Sequence, residues 1–594
     1  MFTQTVQAAV LAIGMGTAQA ELEASTVWWA FAPLPESDTI PEVDAAGKKW
    51  ARNAIDHFVW KRLTESGLKP SADASPRDLA RRLHFDLTGL PPHPDRLDKF
   101  AAARSEESYL GLVDELLGSP HYGERWARHW LDVARYGESN GFEYNEARRN
   151  AWPYRDWVIK ALNSDMPFDE FTREQIAGSP DALGFLVAGV HRPLSGSNDI
   201  RKPQERHDGL EEMVATLSQA FLGITAHCAR CHDHKTDPIP TADYYRVAAA
   251  LSGVHHPLPK DKSKVYSVVS KPPGKMHVFK RGDTSQPGEE VTAGGLTALP
   301  IGPADFGLGP EAGDTERRGK LAEWITDPNN HLFARTIVNR VWHYHFGTGI
   351  VDTPTDLGRS GGAPSHPELL DWLATWFREN GYSLKALHRL IVNSSTYRQS
   401  AVYRVQAAAI DREARLLWRF PPRRLEAEVV RDSILAVSGV LNPQRGGPGF
   451  IDTEEKNFNS ARYYLPIDPE GPEFRRRTIY RFSPRGGRSA LLDTFDCPDA
   501  SATAPHRHVT TTPLQALALQ NNTFVWRMAD HFAKRLEREA GNETTKRVRR
   551  AWMLALGRAP GSAEHDTAVI LADEHGLAAL CRVLFNSSEF VLID

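Results

Sequence analysis

At 594 residues the chain can bury several cores, and 41% apolar with 25% charged residues is an ordinary globular balance. A formal net charge of −4 excludes the basic surplus that drives binding to nucleic acid or to an acidic membrane, and four cysteines exclude a disulfide scaffold. After the N-terminal segment no stretch offers 18 uninterrupted apolar residues, so no integral membrane span is expected.

In chain order, the first element is a short apolar run, Val6 to Met15, followed by the small–x–small triplet Ala18–Gln19–Ala20. Residues 1–20 are therefore expected to be an export signal cleaved after Ala20, although no Lys or Arg precedes the apolar run. Residues 21–45, rich in Pro and acidic groups, are expected to form an extended strap. A first helical domain follows over 46–255. Ser75–Pro76–Arg77–Asp78 has the chemistry of a helix start, with Ser as cap, Pro at the first position and Asp in the first turn. Leu79, Leu83 and Leu87 then recur at helical spacing, and the pattern continues through 107–136 with Leu110, Val113, Leu116 and Leu117 on one face. Leu210, Met213, Val214, Leu217, Phe221 and Ile224 form another stripe.

Residues 256–314 are rich in Pro, Gly and Lys, with short runs such as Tyr266–Ser267–Val268–Val269 and Met276–His277–Val278–Phe279. They are expected to be a small β-containing insertion. Helical pattern resumes over 315–594, with 442–475 expected as a long ordered loop and Arg475–Arg476–Arg477 as a solvated or salt-bridged face. The expected fold is mainly α: two packed helical bodies joined by the insertion.

The strongest chemical signal lies at Cys228–Ala229–Arg230–Cys231–His232. This is the c-type haem attachment pattern: two thiols add across the haem vinyl groups and the adjacent imidazole reaches the iron. Four cysteines and 23 histidines in a chain of this length produce the pattern by chance on the order of once in a thousand sequences. One covalent haem c per chain is expected, with His232 as the proximal ligand. Three other readings stay open: a redox dithiol, half of a zinc site completed by His232 and His234, and a plain disulfide. Around the motif, His227, Asp233, His234 and Asp237 can orient metal ligands, or the two Asp can cap turns beside Pro238. Spacing does not identify a sixth ligand. His277 is the candidate carried forward, with Met276, His255, His256, His121 and His129 also in view, and an open iron site is equally compatible.

Further polar groups sit in loops: Arg135, Glu138, Asn140 and Glu143; Asn339, Arg340, His343 and His345; Asp352, Asp356 and His366; Asp493 and Asp496 near His506 and His508. They can line a pocket for a polar substrate such as a sugar, but buried networks bracing a large helical body are the favoured reading. His343 and His345 fall on different helix faces, which argues against a two-histidine metal helix.

The runs SPHYGERWARHWLDVARYGESNGF (119–142), AWPYRDWVIKALNSDMPFDEFTREQIAG (151–178) and FLGITAHCARCHDHKTDPIPTADYYR (221–246) resemble the first of two paired domains of unknown function found in planctomycete-type secreted, cytochrome-associated proteins. The runs at 317–358, 365–377, 390–400, 476–501, 510–522 and 580–594 resemble the second. The resemblance covers most of the chain and implies export and a haem site, with no assigned activity. The chain departs from it at Ser179, where relatives carry Asp, at Thr236, where they carry an aromatic residue, and in having the internal haem motif alone.

Two function classes follow. One is an exported, periplasmic or extracellular c-type haem protein with a redox or electron-transfer role, a redox protein partner and a polar or carbohydrate substrate. The other is a non-enzymatic cell-envelope structural or binding module in which Cys228 and Cys231 form a disulfide or metal site. Whether the protein is an enzyme is left open by the sequence.

Overall fold

The computed structural model describes residues 28–36, 39–192, 201–257, 264–299, 301–459 and 461–594. The expected signal at 1–20 lies outside the described residues. The fold is mainly α, about 52% helical, and strands among the described residues form four two-stranded antiparallel ladders. No described helix is long and apolar enough to cross a membrane.

Local chemistry sets the helix ends. Ser75 caps Pro76–Thr88 by accepting from the Asp78 backbone N–H, and Gly89 ends it at φ 67°. The periodic stretch at 107–136 is two helices, Glu106–Gly118 and Pro120–Val133. Pro120 disfavours helical geometry at Ser119, which sits at φ −69°, ψ 138° and caps the second helix.

The insertion contains the expected β structure: Val269–Ser270 pairs with Val254–His255 at the end of the first helical region, and Met276–Phe279 pairs with Pro287–Val291. The segment expected as a loop at 442–475 instead contains a hairpin, Thr453–Phe458 with Ala461–Pro466. Its alternation is weak as a sequence signal because apolar Phe458, Tyr463 and Leu465 are exposed while Glu455 and Arg462 lie half-buried. The inward Tyr464 is buried and donates its hydroxyl to the Asn145 carbonyl at 2.7 Å.

The two helical regions interlock. One contiguous core cluster extends from Ala30 to Ile593. Near the N-terminus, the Trp28 indole donates to the Leu357 carbonyl at 2.8 Å, and Arg335 donates to the carbonyls of Ala32 at 2.7 Å and Ala30 at 3.1 Å. At the other end, Arg82 of the first region donates to the Asp594 carbonyl at 2.7 Å. Of the two forms expected for the arginine run at 475–477, the structure shows the salt-bridged one, and it is buried rather than solvated. Arg476 and Arg477 are buried, and Arg477 bridges Glu124 and Asp432 at 2.9 Å each. A guanidinium can be buried there because two carboxylates compensate it.

Candidate functional site at the cysteine turn

The helix Arg201–Leu217 runs into a single wide turn, Ser218–Leu222, which Gly223 ends at φ 58°. Only a residue without Cβ suits this point, because a Cβ would stand 2.7 Å from Thr336 Oγ1. The Gly223 carbonyl accepts from Leu357 N at 2.7 Å, and Arg340 donates to the carbonyls of Ala220 and Gln219 at 2.8 and 3.1 Å. Side chains of the second region thus fix where the next turn begins.

That turn is a short 3₁₀ segment, Ala226–Arg230. Ala226 and Ala229 face the core, while Cys228 and Cys231 are exposed and free. Arg230 anchors the turn from below, pairing with Asp208 at 2.7 Å and with Glu211 on the preceding helix. Its backbone carbonyl accepts from the Tyr245 hydroxyl at 3.0 Å, and burial pushes that phenol up to about 12. Gly282, in the insertion, lies against the second thiol: a Cβ there would stand 3.0 Å from Cys231 Sγ.

His232 is exposed and its Nδ1 lies 2.7 Å from the Asp233 carbonyl. A carbonyl can only accept, so Nδ1 carries the proton and Nε2 presents a lone pair. His234 is engaged differently. Its Nδ1 accepts from Asp237 N at 3.0 Å, and its Nε2 lies 3.1 Å from Thr225 Oγ1. Both nitrogens therefore serve the turn. Asp233 caps Thr241–Ala250 by accepting from Thr241 N at 2.8 Å and Thr241 Oγ1 at 3.0 Å, bonds that hold its carboxyl below the usual range. Asp237 is more than a turn cap. It reaches across to the second region and accepts from Arg359 N at 2.7 Å. Burial and the nearby Asp237 charge raise Asp356. Thr236 Oγ1 lies 2.9 Å from Ser360 Oγ and adds a polar tie between the regions.

The other sequence candidates lie elsewhere. His277 Nδ1 is 3.2 Å from the Gly288 carbonyl of its own hairpin, and Phe279 is the residue of that strand that packs on Tyr245 and His207. Met276 is core. His255 lies in a strand pair, His256 stacks on His191 at 3.9 Å, His121 contacts Glu124 at 2.7 Å, and His129 stacks on Tyr344 at 3.6 Å. These partners do not include the Cys228–His232 turn.

Most of the loop polar groups are buried braces. Glu138 accepts from Ser483 N at 2.8 Å, Asn339 bonds both backbone groups of Val351, His345 Nε2 lies 2.8 Å from His388 Nδ1, and Asp496 pairs with Arg424 at 2.6 Å. Sequence reading did not single out Asp132, Glu428 or Arg507. Arg507 donates to Asp132 at 2.7 Å and to Glu428 at 2.9 Å. The three are 375 and 79 positions apart in sequence, so no local pattern links them. Among the described residues no group of three or more His, Cys, Asp or Glu has the geometry of a metal cage.

Two family models match the chain. Residues 54–256 are similar to PSCyt2, a protein of unknown function (DUF1549), and residues 317–571 to PSD1, a protein of unknown function (DUF1553). These spans fall on the two helical regions. No curated protein and no solved structure matches the chain.

Proposed function

We propose that this is an exported c-type haem protein with a redox or electron-transfer role, its haem bonded to Cys228 and Cys231 and its iron held by His232. The observation that carries the reading is the set of chemical states at the turn. Two free thiols are exposed three residues apart, and the next residue has Nδ1 tied to a carbonyl and Nε2 open. That tautomer is the one an imidazole needs to ligate through Nε2. The donor set thus fits the group, which would supply one-electron chemistry at iron. The chain's own part is to hold the turn still: Arg230 pins it to the preceding helix, and Asp237 pins it to the second region. The zinc reading is weakened because both nitrogens of His234 are spent inside the turn. The names of the matched families accord with a cytochrome association.

Protein made in a host with haem-attachment machinery should give a c-type pyridine haemochrome spectrum. Cys228→Ala with Cys231→Ala should abolish covalent haem, and His232→Gln should shift the Soret band and potential while leaving some haem attached. Wild-type protein without covalent haem would defeat the proposal and leave the envelope module in front. Export has its own check: N-terminal sequencing from the native host should begin at Glu21, and retention of Met1 in the cytoplasm would refute it.

A further inference from the structure

The segment 138–148 is a tightly braced loop. Asn140 N and Arg148 N donate to the carbonyls of Glu146 and Glu138 at 2.8 and 2.7 Å, and the buried Asn145 joins Gly141 N to the Arg485 carbonyl at 2.7 Å each. On this rigid base Phe142 adopts φ 56°, a conformation that disfavours a bulky residue, and its ring is 61% exposed. A strained backbone that holds an aromatic ring in water does nothing for the core, which marks the ring as a contact surface.

Phe142 does not stand alone. With Glu143, Tyr144, Arg192, Ala461, Arg462 and Tyr463 it lines a groove of about 360 Å³. Tyr144 and Tyr463 are 41% and 51% exposed. The first region supplies one wall and the 453–466 hairpin the other, and Arg462 N donates to the Glu143 carbonyl at 3.2 Å. The side chains of Glu143 and Arg192 have no hydrogen-bond or ion-pair partner among the described residues.

We propose that this groove binds a strand of uncharged polysaccharide. Aromatic rings with polar groups at their rims suit sugars, whose faces are apolar and whose edges carry hydroxyls. An unpaired carboxylate and an unpaired guanidinium offer acceptors and donors with no net charge, and hydroxyls can use both. A peptide added as a strand is disfavoured, because the hairpin edge at Arg462 is already bonded to Glu143. An amphipathic helix would need a continuous aliphatic stripe, and here charged groups separate the rings.

Affinity electrophoresis tests the proposal, using native gels that contain hydroxyethyl cellulose, mixed-linkage β-glucan or galactomannan, with alginate as the acidic comparison. The full chain should be retarded by at least one neutral polymer. Phe142→Ala and Tyr463→Ala should each weaken that retardation about tenfold with unchanged unfolding midpoints. Ile570→Ala, an exposed apolar residue outside the groove lining, should behave as wild type. Equal mobility in every gel, retardation by alginate alone, or groove variants indistinguishable from wild type would each overturn the proposal. So would an Ile570→Ala variant that loses retardation as the groove variants do.

Discussion

The Cys228–His232 turn and the ion network around the Pro120–Val133 helix place their chemistry in opposite environments. In the turn, reactive groups within five consecutive residues face water, and the scaffold beneath them is apolar or ion-paired. In the network, Glu124, Asp132, Glu428, Asp432, Arg477 and Arg507 are drawn from three distant segments and withdrawn from solvent. Exposed groups are free to react and contribute little to stability. Buried charges contribute through mutual compensation, and losing one partner strands the other in a poor solvent.

The largest expected effect falls on the network. Asp432→Ala removes the acceptor of Arg477 and Thr478 and should cost about 3–5 kcal/mol in urea unfolding followed by circular dichroism. A loss below about 1 kcal/mol, the range of an exposed pair, would erase the contrast.

Acid should reveal the same network. Glu124 and Glu426 are both held at about 2 against an ordinary 4.5. Burial opposes ionisation at both sites. His121 and Arg477 outweigh it at Glu124, and Arg125 and Arg507 at Glu426. The folded values are depressed, so this stability is present above about pH 4.5 and is lost as pH falls toward 2. Each site is worth on the order of 3 kcal/mol. The urea midpoint should fall across that window, and Glu124→Gln should flatten part of the slope. A midpoint that holds steady from pH 5 to 2 would contradict the assignment.

Gly358→Ala probes the contact that ties the turn to the second region. Its Cβ would stand 2.2 Å from Asp237 Oδ2, forcing Asp237 off Arg359 N at a cost of about 1–3 kcal/mol. Amide exchange should quicken across 224–237 more than in the Pro120–Val133 helix. Uniform change across both would mean the turn is not held by this contact.

The smallest effect on stability belongs to the groups with the most chemistry. Replacing Cys228 and Cys231 by Ala in the haem-free chain should change unfolding free energy by less than about 0.5 kcal/mol, since both are exposed. A larger loss would point to a structural disulfide.

Local grammar made much of this legible. The helix start at Ser75 is confirmed, and Met276–Phe279 is a strand. The 453–466 hairpin, expected as a loop, pairs with itself but alternates too weakly to read as strand, whereas the arginine run takes the salt-bridged of its two expected forms through a partner hundreds of residues away. Local sequence cannot say whether Arg477 is solvated or salt-bridged, because its partner Glu124 stands 353 positions earlier.

The sequence by itself determined the mainly helical class, the positions of the caps and breakers, and the CxxCH pattern, because each depends on residues within a few positions of one another. Tertiary structure alone decided that His232 keeps Nε2 open while His234 spends both nitrogens on the turn. It also decided that Asp237 ties the two regions and that Phe142 stands exposed above a braced loop. Those outcomes depend on which donor, acceptor or ring a distant segment delivers, and only the folded chain fixes that.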